Sequence, residues 1–476
     1  MDEKSLYQGF LKLLKVEPTA CQDSLFRDLA RFFMTDDGDI FVVNGYAGTG
    51  KTTALSAVIA YLKRLGMKSV LLAPTGRSAK VLSGISGMGA STVHKHIYRQ
   101  KSVGKDGYGQ FSLSPNKAKH TLFVVDEVSL IGVESLQQQS SAVFGTGNLL
   151  EDLIAFVRSG DDCRLILSGD SAQLPPVGLE SSPALTPSCM DNFGGVSYAT
   201  LRTVVRQASD SGILSNATLL RTRIEGASSD DTFEGPLLNV RDCPDVERIG
   251  GGELIEAISD AYSRYGYDST IVLTRSNKRA IRYNLGIRSK VLYKEEQIVR
   301  GDRFMIVKNC YQFVADVDEL DYIANGDVAV LQKMWNYEER YGLHFADALL
   351  QFPDFDDCEI KAKVCLDTLT SESASLSYEQ QNALYAGVSA DYADRGTKKK
   401  IWEAVREDPY FNALQLKYSD AITCHKSQGG QWDCVFIDNP FWQKYQTVED
   451  LKWLYTALTR AVSKVYLVNF KDSFFE

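Results

Sequence analysis

The sequence lacks the cysteine patterns that build disulfide frameworks and zinc sites. It holds nine cysteines, an odd number, and no two of them are spaced as C-x-x-C. Disulfide-rich domains and structural zinc sites depend on such spacings. We therefore expect reduced, mostly buried thiols and no metal-ligand cluster of this kind.

Long apolar segments are missing as well. The amino-terminal stretch MDEKSLYQGF is charged and has no apolar core typical of a secretory signal. No segment approaches the roughly 20 apolar residues that a membrane-spanning helix needs. The sequence therefore predicts a protein without membrane association that resides in the cytoplasm.

Positive charge is not in excess. Lys and Arg number 52 against 61 Asp and Glu, which gives a net charge of −9. The molecule as a whole therefore offers no basic field for nucleic acid, although a local groove with a few basic side chains remains compatible with an acidic surface. With 44% hydrophobic residues, a chain of this length should form roughly two to four domains.

A phosphate-binding loop is indicated near the amino terminus, in the stretch FVVNGYAGTGKTTAL from Phe41 to Leu55. The spacing G-x-x-x-x-G-K-[ST] is carried by Gly45, Gly50, Lys51 and Thr52, with Gly48 inside the loop. Such a loop points successive N–H groups at phosphate oxygens, and the following helix adds the positive end of its dipole. Lys51 would reach the β- and γ-phosphates, and Thr52 would ligate Mg²⁺. An accidental match is the alternative, and the strand-like IFVVN before the loop argues against it.

Further strands of a parallel sheet follow this loop. They are predicted within Lys68 to Leu82, Thr121 to Leu130 and Cys163 to Pro176. Short apolar strands that alternate with helices are typical of an α/β fold, in which chemistry gathers at the carboxyl ends of the strands. We expect the loops that leave these ends to converge on one cleft.

Two adjacent carboxylates, Asp126 and Glu127, end one of these strands. Asp126 can hold Mg²⁺ through its water shell, and Glu127 can orient the water that attacks a γ-phosphate. A D-E pair alone is weak evidence. Its position after an apolar strand and downstream of a phosphate loop favours the functional interpretation.

The regular α/β pattern is interrupted twice. Residues 97–120 are polar, basic and rich in turn residues, and they predict an inserted β-hairpin. Residues 297–412 contain strand-like pieces joined by acidic loops and predict a small β-barrel with helical additions. Strands of a second parallel sheet are predicted on both sides of the barrel, at Ser269 to Arg275, Cys434 to Pro440 and Lys464 to Phe470.

Eight ordered blocks resemble the motif series of superfamily 1 helicases, and specifically its RecD-like, Dda-like group (superfamily 1B). They are GYAGTGKTT, APTGRSAK, STVHKHI, VVDEVSL, LSGDSAQLPPVG, LRTVVRQ, AITCHKSQGGQW and LYTALTRA. The resemblance runs from Gln22 to Ala461. It implies an ATP-dependent DNA helicase that moves 5′-to-3′ on single-stranded DNA and unwinds duplex. ATP and Mg²⁺ would be its cofactors, and single strands and single-strand/duplex junctions its partners. Because both halves of the nucleotide site lie in one chain, we expect the monomer to be the active form.

The resemblance also implies a domain plan with two RecA-like domains. The first would occupy residues 1–180, with the hairpin at 97–120 as a strand-separating pin. The second would combine residues 181–296 and 413–476. Residues 297–412 would form an accessory barrel of the Src-homology-3-like type.

Nucleotide-site roles follow from the same motifs. Gln22 resembles the residue that reads adenine, Gln173 the γ-phosphate sensor, and Arg206 and Arg460 two arginine fingers; Lys51, Asp126 and Glu127 complete the catalytic set. The residues implied to contact the nucleotide are Gln22, Gly45, Gly48, Thr49, Gly50, Lys51, Thr52, Thr53, Gly429 and Gln431, with Thr52 and Asp126 as metal ligands. Many relatives carry glutamate at the position of Gln431, so this chain departs from the pattern at a position associated with the ribose.

Contacts to the DNA strand are implied for Pro74, Thr75, Thr92, His94, Asn277, Thr423 and His425. Small polar side chains and exposed amides suit phosphate contacts, which position a strand without reading its sequence. A satisfied buried histidine is the alternative for His94.

Three other functions stay open at this point. The chain could be a translocase that strips proteins from single strands without unwinding, or an RNA helicase of the nonsense-mediated-decay type. It could also be a nucleotide-switched binding protein, against which Glu127 and the two arginines argue. Nuclease activity finds no support, since no metal-ligand constellation is evident beyond the nucleotide site.

Overall fold

The computed structural model describes residues 2–103, 109–132, 142–205, 211–235, 237–310, 312–314 and 323–475. The strands are β1 (Ile40–Gly45), β2 (Lys68–Ala73), β3 (Ala90–Thr92), β4 (Tyr98–Val103), β5 (Gly109–Leu113), β6 (Thr121–Val125), β7 (Ala142–Phe144), β8 (Arg164–Gly169), β9 (Val196–Leu201), β10 (Thr232–Phe233), β11 (Val246–Ile249), β12 (Thr270–Thr274), β13 (Arg303–Ile306), β14 (Val328–Arg340), β15 (Leu343–Phe352), β16 (Cys358–Cys365), β17 (Leu414–Tyr418), β18 (Ala421–Thr423), β19 (Trp432–Asp438), β20 (Gln446–Thr447) and β21 (Ala461–Val468). The α-helices are α1 (Glu3–Leu13), α2 (Ala20–Met34), α3 (Lys51–Arg64), α4 (Gly76–Ser86), α5 (Val93–Ile97), α6 (Leu149–Arg158), α7 (Pro187–Met190), α8 (Gly212–Glu225), α9 (Leu254–Tyr265), α10 (Asn277–Lys290), α11 (Tyr378–Asp391), α12 (Lys398–Glu407) and α13 (Val448–Leu458).

The first sheet has the strand order β3-β2-β6-β8-β1-β9, and all its neighbouring strands are parallel. Every residue of β6 is buried, as expected where helices cover both faces of a parallel sheet. The edge strand β9 pairs with β1 from Val196↔Ile40 to Leu201↔Gly45. The first sheet therefore extends beyond residue 180, the predicted end of the first domain.

The second sheet has the order β11-β21-β19-β12-β18 and is also parallel. Its strand β12 lies within the predicted segment, whereas β19 and β21 overlap theirs but begin two and three residues earlier. Helix α13 packs its buried face, which includes Trp453 and Tyr455, into the core on one side of this sheet. The two parallel sheets confirm the predicted α/β fold class.

The first insertion is a hairpin. β4 pairs antiparallel with β5 from Tyr98↔Leu113 to Val103↔Gly109, and β7 joins β5 in parallel. Phe111 stacks on Phe144 with 4.4 Å between ring centroids, which fastens the base of the hairpin to β7. The turn at residues 104–108 lies outside the described part of the chain.

The second insertion is a closed barrel of β13, β14, β15, β16 and β17. Its last strand, Leu414–Tyr418, lies just beyond the predicted limit at residue 412 and closes the barrel by pairing with β13 and β16. The loop after β15 reaches the first sheet's helix α4, where Lys80 pairs with Asp354 at 3.1 Å. The barrel thus contacts the part of the molecule that carries the APTGRSAK block.

The cysteines are unpaired, as the sequence predicted. All nine are free thiols, and five of them are buried. Among the helices in the described ranges, none is long and apolar enough to cross a membrane.

A buried ion group holds the second sheet to the barrel. The carboxylate of Asp302, just before β13, accepts hydrogen bonds from Arg288 of α10, from Lys294 at 2.7 Å and from the Val299 N–H at 2.8 Å. Both Arg288 and Asp302 are buried. Because a buried charge is costly without its partner, this group should be sensitive to the removal of either member.

We predict that Asp302→Ala destabilises the protein by ~3–5 kcal/mol, because it leaves the Arg288 guanidinium buried without its counter-ion. Urea unfolding followed by fluorescence measures the change. Glu372→Ala is the matched control, since its pair with Lys278 is solvent-exposed and should contribute less than about 1 kcal/mol. Equal effects of the two substitutions would contradict the prediction.

Candidate nucleotide and strand-binding site

The phosphate loop connects β1 to α3 with two glycines in the left-handed region. Gly48 has φ +72° and Gly50 has φ +70°, a conformation that glycine adopts without strain. A Cβ at Gly50 would also lie 2.6 Å from Nε2 of Gln22. Lys51 opens α3, and its Nζ donates to the Gly45 carbonyl at 3.3 Å. The ammonium thus lies over the loop, where a bound phosphate would compete for it.

Gln22 supports this loop from α2. Its Nε2 donates to the Thr49 carbonyl at 3.0 Å, and its Oε1 accepts from the Thr19 N–H at 3.0 Å as part of a capping box. The side chain is buried. The structure therefore places Gln22 beside the loop with its amide already engaged, and adenine reading stays a prediction.

Two carboxylates follow β6 at the centre of the first sheet. The Thr52 hydroxyl lies 3.4 Å from Oδ2 of Asp126, while Oδ1 of Asp126 accepts from Ser168 at 2.8 Å and from the Glu127 N–H at 3.0 Å. Thr52 and Asp126 present hard oxygen atoms, which are the ligands that Mg²⁺ prefers. Clusters of three or more His, Cys, Asp or Glu side chains suited to a metal are absent from the residues that the structure describes.

Glu127 is held in a strained and desolvated position. It is a non-glycine residue with φ +56°, which is uncommon and often marks a functional site. Its Oε2 is buried and has no hydrogen-bond partner among the described residues. Burial raises the pKa of Glu127, and the charges of Lys51 and Arg460 oppose that rise. A carboxylate with a raised pKa is a better proton acceptor near neutral pH.

The loop after β8 carries Gln173 and Asp170. Gln173 is buried, and its Oε1 has no partner within the described ranges. Asp170 accepts from the Ala172 N–H at 3.0 Å and from the Tyr455 hydroxyl at 2.6 Å. The Tyr455 oxygen in turn accepts from the Ala47 N–H of the phosphate loop at 2.9 Å. One side chain of the second sheet's helix α13 thus joins two loops of the first sheet.

Arg460 lies at the end of α13, on the second sheet's side of the cleft. It is buried, and it donates to the carbonyls of Thr456 at 3.1 Å and Gly430 at 3.2 Å. Its charge acts on both Glu127 and Asp170. The second proposed arginine, Arg206, lies outside the described residues.

The remaining residues predicted for the nucleotide site differ in burial and in what they contact. Thr49 is buried and donates to the Tyr46 carbonyl at 2.7 Å, whereas Thr53 and Gln431 are exposed. Gly429 has φ +77°, and a Cβ there would lie 1.9 Å from the Ser78 hydroxyl. The second sheet's loop therefore packs closely on α4.

In the first sheet, the residues predicted to contact the DNA strand lie at one edge, away from the phosphate loop. Pro74 and Thr75 follow β2, and Thr92 ends β3 next to it. The Thr75 hydroxyl caps α4 by accepting from the Ser78 N–H at 3.2 Å, and Thr92 caps α5. Both hydroxyls therefore serve as helix caps.

In the second sheet, the predicted contacts also lie at one edge. Asn277 is the first residue of α10, which follows β12, and Thr423 ends the neighbouring strand β18. His425 lies in the next turn, where burial lowers its pKa. A contact from His425 to a phosphate at neutral pH would therefore be a hydrogen bond from an uncharged ring.

His94 packs among aromatic rings, with its centroid 5.2 Å from Phe144 and 5.7 Å from Tyr98. Its ring therefore contacts the base of the hairpin. Contact between His94 and a DNA strand stays a prediction, in addition to this packing role.

Several residues important for the site were not recognised from the sequence. Tyr455 and Asp170 lie within quoted blocks but received no role, and Arg77 stacks over Trp432 at 4.1 Å. The Arg77 contact joins α4 to the second sheet. The position of Tyr455 within the LYTALTRA block could have indicated a role for it. The contact between Arg77 and Trp432 could not be predicted in this way, because the two residues are 355 positions apart.

Two segments of the chain match known families. Residues 26–228 match a family described as "AAA domain". Residues 418–468 match a family described as "UvrD-like helicase C-terminal domain". The first match includes the phosphate loop and both carboxylates, and the second includes Thr423 and Arg460.

Named relatives share shorter segments. The ATP-dependent RecD2 DNA helicase of Deinococcus radiodurans is 36% identical over 138 residues, which are 29% of this chain and 16% of that protein. The ATP-dependent DNA helicase dda of Enterobacteria phage T4 is 38% identical over 91 residues, 18% of this chain and 20% of that protein. The matches therefore span a fifth or less of either relative's length. Pif1 helicase from Bacteroides, solved in complex with ADP-AlF3 and ssDNA, is similar at 16% identity over 97% of this chain and 95% of that chain, with a TM-score of 0.48.

We predict that Tyr455→Phe weakens the joint between the two sheets. The Ala47 N–H would lose its partner, and the buried Asp170 carboxylate would keep only the bond from the Ala172 N–H, which should lower the free energy of unfolding by ~1–3 kcal/mol. ATP turnover should fall on the order of 10-fold, since about 1.4 kcal/mol of barrier corresponds to that factor. Tyr445→Phe is the control, because Tyr445 is exposed. Unchanged turnover and stability in Tyr455→Phe would refute the bridging role.

Proposed function

We propose that this chain, which belongs to the RecD-like group of superfamily 1 helicases, uses ATP hydrolysis to move 5′-to-3′ along single-stranded DNA and to unwind duplex. It would act as a monomer on single strands and on single-strand/duplex junctions, and cytoplasmic residence remains part of this proposal.

The observation that carries the proposal is a nucleotide cleft built from both sheets. Lys51, Asp126 and Glu127 belong to the first sheet, while Arg460 follows α13 of the second, and its charge opposes the rise in the pKa of Glu127. A triphosphate in this cleft would interact with both sides at once. Differential binding of this kind shifts a protein towards a closed state, and hydrolysis removes the bias.

Each catalytic side chain has a chemical task in this scheme. Lys51 would stabilise the β- and γ-phosphates, and Glu127 would orient the attacking water and accept its proton. Gln173 would sense the γ-phosphate, and Arg460, with Arg206, would stabilise charge as it develops on the transferred group. Thr52 and Asp126 would hold Mg²⁺, which neutralises phosphate charge when bound.

The candidate strand contacts support coupling between hydrolysis and movement. Pro74, Thr75 and Thr92 lie at an edge of the first sheet, and Asn277 and Thr423 lie at an edge of the second. If the two sheets approach and separate during the ATPase cycle, these two sets of contacts would bind the DNA strand alternately. Contacts of this type go to the phosphates and do not depend on base sequence.

We assign the separation of the two DNA strands to the hairpin of β4 and β5. The barrel would cover the bound single strand. The hairpin projects from the first sheet, beside the edge that carries Thr92, and is anchored through Phe111 and Phe144. The barrel contacts α4 through Lys80 and Asp354. These contacts support a proposed path for the DNA strand that runs past both insertions.

The first experiment measures ATP-driven unwinding of a labelled DNA duplex with a single-stranded tail at either the 5′ or the 3′ end. We expect unwinding only from the 5′ tail. Lys51→Ala should abolish it because the β- and γ-phosphates would lose the ammonium of the phosphate loop, whereas Lys63→Ala, which replaces an exposed lysine at the end of the same helix, should leave it unchanged. Unwinding from the 3′ tail alone would overturn the polarity.

A second experiment separates unwinding from translocation. Replacement of residues 103–109 by Asn-Gly shortens the hairpin, and we expect it to abolish unwinding while DNA-stimulated ATP hydrolysis persists. Hydrolysis without unwinding by the unaltered chain would instead support the translocase. Stronger stimulation by RNA than by DNA of the same sequence would favour the RNA helicase.

A further inference from the structure

A small recess with a free volume of about 20 Å³ lies where the second sheet meets the barrel. From the second sheet it is lined by Asn277, Thr423 and Lys426, and from the barrel side by Met305, Leu369 and Lys417. Asn277 and Thr423 are already candidates for strand contact. The two lysines were assigned no role from the sequence.

The two lysines come from different parts of the fold. Lys417 lies on β17, and its Nζ donates to the carbonyls of Thr368 at 3.0 Å and Ser371 at 2.6 Å. Two of its three N–H donors are therefore used. Lys426 lies in the turn after β18, beside the recess.

Neither ammonium has a carboxylate within ion-pair distance in the part of the chain that the structure describes. Nearby acidic groups are paired with other cations, as Glu372 is with Lys278 and Asp450 is with Arg275. Burial lowers the pKa of Lys417 and of Lys426 to about 8, and the charge of Lys417 adds to the effect on Lys426. Two desolvated cations close together are costly unless an anion joins them.

The other groups at the recess favour a phosphate. Asn277 begins the 14-residue helix α10, whose N-terminus attracts anions through its free N–H groups and its dipole. The Thr423 hydroxyl adds a hydrogen-bonding group, and among the described residues no carboxylate lines the recess.

We propose that Lys417 and Lys426 together bind one backbone phosphate of the single strand in this recess. The inference rests on the proposed function and adds a residue of the barrel to the strand path. The phosphate would join the barrel to the second sheet, because each contributes one lysine. This phosphate contact would move with the second sheet during the ATPase cycle.

The test is the salt dependence of binding to a labelled oligo-dT strand without nucleotide, followed by fluorescence anisotropy. For single strands, the logarithmic salt slope changes by about 0.7 for each phosphate that the protein no longer neutralises. We expect Lys417→Gln and Lys426→Gln each to flatten the slope by up to that amount. The double variant should add little, because both side chains hold the same phosphate. Lys426→Arg should retain the wild-type slope.

Lys361→Gln is the charge-matched control, since Lys361 is exposed on the barrel strand β16. Thermal melting checks that Lys417→Gln remains folded, and Lys426→Gln tests the site while the hydrogen bonds from Lys417 to Thr368 and Ser371 stay intact. Slopes equal to that of Lys361→Gln, with wild-type binding intact, would overturn this inference and leave the proposed function standing. Failure of the wild-type chain to bind the strand would overturn both. Competition by inorganic phosphate at millimolar concentration, equal in wild type and the double variant, would likewise count against a site in the recess.

Discussion

The Tyr455 hydroxyl is the contact on which the nucleotide cleft depends. It bonds both to the Ala47 N–H of the phosphate loop and to the Asp170 carboxylate. A parallel bond runs from the Leu174 N–H to the Thr456 hydroxyl at 2.8 Å. These buried bonds are directional, so the sheets cannot slide without breaking them, and the cleft is suited to discrete arrangements rather than gradual deformation.

Charge is distributed unevenly across this framework. At the cleft, burial raises the pKa of both Glu127 and Asp170 while Lys51 and Arg460 oppose that rise. At the far edge of the second sheet, Lys417 and Lys426 line a recess to which the described residues contribute no carboxylate. A net charge of −9 is thus compatible with the two proposed phosphate sites, because local geometry decides which charges face each other.

Local chemistry explains which features could be predicted. The phosphate loop, the carboxylates after β6 and the hairpin each depend on a short segment whose residue types suit only one conformation. The prediction from sequence was less accurate where the strands that pair are far apart in the chain. The strand β9 joins β1 although about 150 residues separate them, and β17 closes the barrel from beyond its predicted limit.

The sequence by itself determined the α/β pattern, the two insertions and the nucleotide-binding chemistry, because strand periodicity, glycine spacing and adjacent carboxylates act over a few residues. Only the tertiary structure decided that Tyr455 bridges the two sheets, that Gln22 supports the phosphate loop and that Lys417 and Lys426 line one recess. Each of these pairings brings together two segments, and the residue types of one segment do not indicate the other. Their meeting follows from how whole sheets and the barrel pack, which no single segment encodes.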